Sequence, residues 1–343
     1  MRWSPFAALC LGAMMLVPPA SAQTSLRVIL FPGGATVPMW VAQDKGLFAQ
    51  QGLAVKLSLT PSSVFLAESL MKGDQDLALA TFDNVVGYQE GQGEVELPQK
   101  PDFFAFMSVM HGSVYLVANP DIRTIADLKG KSLGVDAVAT GYSLAMVKLL
   151  QQGGLKPDEY KLEPIGNTGQ RQKLLLENKT VATILTTPLD LLPRSKGYRV
   201  LASFGDLVGP YQAIAGFTRR SWAASHRDDL VRFTRASVAA IDWIMDPANR
   251  TELVGLYRKH QPDLSEDAAV AAVAAMTSER DGFTRGGQFD MPGVMNVLKI
   301  RSEFARPPKT LDDPSRYIDD AYLRVAASGD KPGAPSADRP LSR

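Results

Sequence analysis

Two periods of apolar and polar positions take turns along this chain, one with the repeat of a strand and one with that of a helix. Leu26 to Phe31 is a compact β-rich run closed by Pro32-Gly33-Gly34. Val37 to Gln50 has helical spacing, with Met39, Trp40, Val41, Leu47 and Phe48 apolar, and Gly52 stops it. Leu53 to Leu59 alternates as a half-buried strand does, and Ser62 to Met71 reads as a helix with Ser62 or Ser63 at its N-cap. Leu77 to Ala80 is a short apolar strand, after which Asp83 and Asn84 can cap the next helix. This βαβα order predicts a parallel sheet covered by helices.

Residues 91–101 are polar and rich in Gly, Glu and Gln, and read as an exposed loop. Phe103 to Met110 and Val114 to Val117 are strand-like, with His111-Gly112-Ser113 between them. A second unit follows, with a short helix over 124–128, a strand over 132–135 and a helix over 141–152. The alternation continues through 162–164, 169–177 and 181–185, making a compact α/β block from about 118 to 203. Tyr211 to Phe217 returns as a strand, and long helical patterns occupy 227–245, 249–260 and 265–276. Residues 326–343 are rich in Ala, Ser, Gly and Pro and read as a disordered tail.

The N-terminus changes the picture by adding an address. Arg2 precedes a 12-residue apolar run, Phe6 to Val17, which Pro18-Pro19 breaks before Ala20-Ser21-Ala22. That run is too short to span a bilayer, which takes about 20 apolar residues. It reads as a signal peptide over 1–22, cleaved after Ala22, and hence as export to the periplasm. Cys10 is the chain's only cysteine and leaves with the signal, so the mature chain has no thiol, thiolate metal site or disulfide. Without Arg2 the chain carries 36 basic and 36 acidic residues, which argues against a nucleic-acid or anionic-membrane surface. No later segment has 18 uninterrupted apolar residues, so no membrane insertion is expected.

Three motifs then carry a resemblance. Residues 38–53, Pro38-Met39-Trp40-Val41-Ala42-Gln43-Asp44-Lys45-Gly46-Leu47-Phe48-Ala49-Gln50-Gln51-Gly52-Leu53, are the first, and Lys72-Gly73-Asp74 with Asp76-Leu77-Ala78-Leu79-Ala80 is the second. The third is residues 122–135, from Ile122 through Asp127-Leu128-Lys129-Gly130-Lys131 to Val135. Over about 26–245 the chain resembles the periplasmic solute-binding proteins of sulfonate, taurine, nitrate and thiamine-pyrimidine-precursor ABC importers. Read for physics alone, these motifs are helix stops, core positions and tight turns, so they speak for fold and hardly for ligand.

The resemblance implies an α/β fold, a two-lobed periplasmic-binding-protein type II clamp in which each lobe is a mixed, mostly parallel sheet covered by helices. Lobe one would be 24–112 plus 207–325 and lobe two 113–206, with ligand held at strand C-terminal ends and helix N-termini. Gly34 and Thr36 fall on the first such loop, Ser62 and Ser63 on the second, and Phe82, Asp83 and Asn84 on the third. Trp40 either stacks on a ligand ring or packs in the core, and Asp83 either caps its helix or holds a cationic group. Thr140, Gly141 and Tyr142 match the family's Gly/Ser/Thr-rich loop, with Asn167 and Thr187 at neighbouring strand ends. His111 and Tyr211 sit at the two chain crossings. Arg171 is the one arginine near these loops and is expected on a helix face, so no arginine clamp for an anion is foreseen. Phe82, Tyr142 and Tyr211 point to a flat, partly polar organic ligand such as a pyrimidine or an aromatic acid.

No enzyme constellation competes with this reading. There is no G-x-S-x-G elbow, and His111, His226 and His260 lie in unrelated contexts. No H-x-x-x-H pair suggests zinc, and neither a metal nor a cofactor is expected. The expected partners are a small-molecule ligand and an inner-membrane ABC permease, and the expected state is a monomer. Two alternatives stay open: a sensory protein of the same fold, and an enzyme akin to the pyrimidine-synthesising relatives, whose Cys-rich motif is absent here.

Overall fold

A computed structural model describes residues 23–112 and 114–328. The expected signal peptide and residues 329–343 of the expected tail lie outside the described residues.

The first unit runs β1 (Thr24–Leu30), α1 (Thr36–Asp44), α2 (Leu47–Gln50), β2 (Leu53–Leu59), α3 (Ser63–Lys72), β3 (Leu77–Thr81), α4 (Phe82–Gln89) and β4 (Phe103–Met110). The second runs β5 (Val114–Ala118), β6 (Ser132–Val135), α5 (Gly141–Gln152), β7 (Lys161–Pro164), α6 (Thr168–Leu176), β8 (Ala182–Thr186), α7 (Leu191–Ser195) and β9 (Arg199–Ser203). After α8 (Phe204–Leu207) the chain returns to the first sheet as β10 (Ile214–Arg219). Six helices follow: α9 (Arg220–Ser225), α10 (Arg227–Met245), α11 (Arg250–His260), α12 (Glu266–Met276), α13 (Met291–Phe304) and α14 (Ala321–Ser328).

The result is two five-stranded sheets, ordered β2-β1-β3-β10-β4 and β7-β6-β8-β5-β9. In each, one strand runs against the other four: β10 is antiparallel to β3 and β4, and β5 is antiparallel to β8 and β9. The remaining pairs are parallel, with registers such as Val28↔Leu57 and Leu133↔Leu162. The fold is therefore the two-lobed α/β clamp the sequence implies. The chain crosses between the sheets twice, from Met110 to Val114 and from Ser203 to Ile214.

Each sequence motif has a local cause. Gly46 sits at φ 68° and splits the expected helix into α1 and α2, because the left-handed conformation breaks the ladder that a Cβ residue would have continued. Asp76 accepts hydrogen bonds from the backbone N–H of Arg27 and from its guanidinium at 2.6–3.1 Å, tying β1 to β3. Asp127 accepts from the N–H groups of Arg123 and Thr124, both at 2.9 Å, closing the turn ahead of β6.

One continuous apolar cluster passes from Ile29, Phe82 and Phe103 under the first sheet to Leu116, Leu133 and Leu144 under the second. A second lies on the opposite face of the first sheet, beneath α1, α10 and α12. Strand β4 is buried along its whole length although it ends its sheet. Its outer edge is covered by residues 317–319, where the Ala105 N–H donates to Tyr317 O at 2.8 Å. Two expectations need correction. Residues 326–328 belong to α14, with Ala326 buried against the core. Helix α13, which the apolar pattern did not reveal, packs against α5 and carries a buried arginine.

Candidate ligand-binding cleft

Four helices begin where the two sheets face each other. Each follows a strand of its own sheet: α1 after β1, α4 after β3, α5 after β6, and α6 after β7. Their first turns, with the ends of β4, β8 and β10, enclose a cavity. The first sheet contributes Phe31, Gly34, Asn84, Met110 and Ile214, and the second contributes Asp136, Thr140, Tyr142, Thr168, Arg171, Ile184 and Thr187. Helix N-termini present N–H groups and the positive end of their dipoles, so the geometry favours an acceptor or an anion. About 60 Å³ of the cavity is open to the centre of a water molecule, several times the 10–15 Å³ that one water needs.

Direct hydrogen bonds across the gap hold the sheets in this arrangement. The Ser63 N–H donates to Asp136 Oδ2 at 3.2 Å, and Asn167 Nδ2 donates to Thr60 O at 2.9 Å. On one flank Ala139 receives Arg301 Nη2 on its carbonyl at 2.8 Å, and its N–H donates to Glu94 Oε2 at 2.7 Å. Arg301 comes from α13 and is itself held by Asp83 through Nε at 2.5 Å and Nη2 at 2.8 Å, with both side chains 2% exposed. Gly87 is what lets the guanidinium lie there, since a Cβ at that position would meet Arg301 Nη2 at 2.4 Å.

Arg171 reaches the cavity from inside α6 and is 3% exposed. Its three nitrogens donate to Ile184 O at 3.2 Å, Gly166 O at 2.7 Å and Thr168 Oγ1 at 3.1 Å, all of them uncharged acceptors. Burial pulls its pKa below the ordinary value, while the nearby Asp136 opposes that. Burial likewise raises the Tyr142 hydroxyl well above its usual range, and that hydroxyl is enclosed with no hydrogen-bond partner among the described residues.

The sequence profile of the NMT1/THI5-like family matches residues 35–250. The chain belongs to that family. This NMT1/THI5-like chain is 25% identical over 224 residues to the putative binding protein YtlA of Bacillus subtilis, covering 60% of the chain and 62% of that protein. Its fold is similar to the periplasmic nitrate-binding protein NrtA of Synechocystis, with a TM-score of 0.75 and 13% identity, covering 89% of both chains. It is also similar to the ligand-binding component of an ABC-type import system from Staphylococcus aureus, with a TM-score of 0.70 and 12% identity. That match covers 89% of this chain and 99% of the other.

Of the positions singled out in the NMT1/THI5-like sequence, Gly34, Asn84, Thr140, Tyr142 and Thr187 line the cavity. Gly34 marks a close approach, because a Cβ there would lie 3.2 Å from Thr187 O of the facing sheet, tighter than an ordinary contact. Gly141 sits just behind, where a Cβ would meet Asp83 Cγ at 2.3 Å and the Tyr211 hydroxyl at 2.4 Å. The other positions do different work. Trp40 stacks on His260 with ring centroids 4.6 Å apart and packs with the outer cluster, away from the cleft. Phe82 is fully buried core. Asp83 neither caps nor faces the cavity, because Arg301 occupies its carboxylate. Thr36 donates to Gly33 O at 2.7 Å. Ser62 caps α3, and Asn167 caps α6 while bridging to Thr60. Ser63 faces a smaller recess beside Asn84, Thr140 and Arg301. His111 and Tyr211 line a separate hollow at the chain crossings, together with Arg280, Asp281 and Asp290.

Arg171 corrects the sequence reading most. It is on a helix as expected, yet it points its charge into the protein rather than to solvent. Asp136 opens the loop that the sequence singled out and also lines the cavity. The only signal for either was position: Asp136 directly follows β6, and Arg171 falls in the first turn of α6, the helix after β7.

Proposed function

We propose that this chain is the periplasmic solute-binding component of an ABC importer. It closes on a small organic molecule (pyrimidine-like, an aromatic acid or a sulfonate) between its two lobes and hands it to a membrane permease. On this reading lobe one is 24–112 plus 207–325, lobe two is 113–206, and the two chain crossings are the hinge. The observation that carries the proposal is the cavity between the sheets, where four helix N-termini meet. Residues from both sheets line it, so only a closed form offers a ligand all its contacts, and ligand therefore selects that form. The likeness to a nitrate-binding protein and to the ligand-binding component of an ABC-type import system supports the transport side of the reading.

A thermal-shift screen against sulfonates, nitrate, pyrimidines, flavins and aromatic acids tests the proposal. A true ligand stabilises by about 2.7 kcal/mol at a concentration of 100 Kd. If no compound shifts the melting temperature while a chromogenic hydrolase panel shows turnover, the binding reading fails.

A further inference from the structure

The cleft carries two groups of opposite charge, Arg171 and Asp136, that make no direct bond to each other, and each keeps hydrogen-bonding capacity unused among the described residues. Arg171 is almost fully enclosed, and among the described residues it makes no ion pair. A guanidinium keeps its proton even when buried, and Asp136, near enough to favour that charge, makes no direct bond to it, so the unused N–H groups of Arg171 favour an anionic acceptor. Three of the five guanidinium N–H groups are used by the three bonds described above, leaving one each on Nη1 and Nη2. Two donors on neighbouring nitrogens match the two oxygens of a carboxylate. The N-termini of α1, α4, α5 and α6 add to the preference for negative charge.

Asp136 lines the same cavity with the opposite need. Its Oδ2 accepts the Ser63 N–H, while Oδ1 is enclosed and accepts no hydrogen bond from the described residues. A bare carboxylate oxygen in such a place calls for a donor. The rest of the cavity lining is mostly apolar, with Phe31, Met110, Val135, Ile184, Ile214 and the Tyr142 ring. With a water radius allowed around its open space, the cavity admits a body on the order of ten non-hydrogen atoms.

We propose that the ligand is a single-ring aromatic or heteroaromatic carboxylate carrying an N–H or O–H donor on the ring. This rests on the reading of the cleft as a binding site and narrows its ligand class. Arg171 takes the carboxylate, the apolar walls sandwich the ring, and Asp136 Oδ1 accepts from the ring substituent. Each of the three groups supplies what one part of the cavity lacks.

Calorimetric titration of the intact protein with the 2-, 3- and 4-aminobenzoates, benzoate, aniline and 4-aminobenzenesulfonate tests this. At least one aminobenzoate should bind, at least tenfold tighter than benzoate, aniline or the sulfonate. Arg171→Gln should weaken that binding by a hundredfold or more, and Arg171→Lys, which keeps the charge but loses the fork, by about tenfold. Asp136→Asn should bring aminobenzoate and benzoate to within threefold of each other. Circular dichroism checks that each variant folds, and the selectivity of the unaltered protein decides the matter if one does not. Equal binding of aniline and aminobenzoate, or a sulfonate that binds tightest, overturns the carboxylate class while the binding reading stands. Failure of these probes overturns the inference, and failure of every compound in the wider screen overturns the reading beneath it.

Discussion

Replacing Asp83 by Asn tests whether the cleft flank is held as the structure describes. The side chains of Asp83 and Arg301 are both 2% exposed and meet through two hydrogen bonds at 2.5 and 2.8 Å. With charge centres about 4 Å apart and an effective dielectric near 20, their attraction is about 4 kcal/mol. Removing one partner also strands the other in the interior, and breaks of this kind cost about 3–5 kcal/mol. Arg301 keeps its bonds to Gln92 O and Ala139 O, which favours the lower end. Unfolding entropy near 2.1 cal/mol/K per residue over about 300 ordered residues turns 3 kcal/mol into a melting drop of roughly 5 °C. Scanning calorimetry of Asp83→Asn, Arg301→Gln and the double variant reads this out. The double variant should cost clearly less than the sum of the singles, since the pair is one unit. Strict additivity, or a drop below about 2 °C for Asp83→Asn, would refute the argument.

Two further outcomes are expected. Gly141→Ala puts a methyl 2.3 Å from Asp83 Cγ and 2.4 Å from the Tyr211 hydroxyl, so the lobes cannot meet as they do here. Its cost should fall on closure, weakening ligand binding by roughly 5- to 150-fold for 1–3 kcal/mol of overpacking, and X-ray scattering with ligand present should show a larger radius of gyration than the unaltered protein; identical scattering counts against it. Burial works to raise the Glu90 carboxyl, but hydrogen bonds from Lys309 and Tyr317 and the nearby Arg316 charge outweigh it and hold the pKa below its usual range. A depressed folded pKa gives stability that is present above the unfolded value of about 4.3 and is lost as pH falls through the folded one. Urea titrations should therefore show Glu90→Gln less stable than the parent at pH 7, with the gap closing below about pH 4; a constant gap would contradict the assignment.

The sequence was most informative where function follows from the order of elements. Loops after parallel strands must gather at one end of a sheet, so Gly34, Asn84, Thr140, Tyr142 and Thr187 could be placed in the cleft without coordinates. Residues chosen for their chemistry alone fared differently. Trp40 and Phe82 are aromatic near a cleft loop, but helical phase turns both into packed cores. Arg171 was hidden because a charged residue in a helical run normally faces water, and only the tertiary fold shows that Gly166, Thr168 and Ile184 wrap its guanidinium. Arg301 was hidden by distance, being 218 residues from the carboxylate that holds it. Neither local period nor motif encodes a pairing that long.

The central claim is that a small molecule is captured between the two sheets. Its most direct test is calorimetric titration of the compound that most raises the melting temperature, into the unaltered protein and into Thr140→Ala/Tyr142→Ala. Both side chains line the cavity, and neither makes a hydrogen bond to Asp83 or Arg301. The variant is expected to fold and to bind at least tenfold more weakly, about 1.4 kcal/mol. Unchanged affinity in a folded double variant would contradict the central claim.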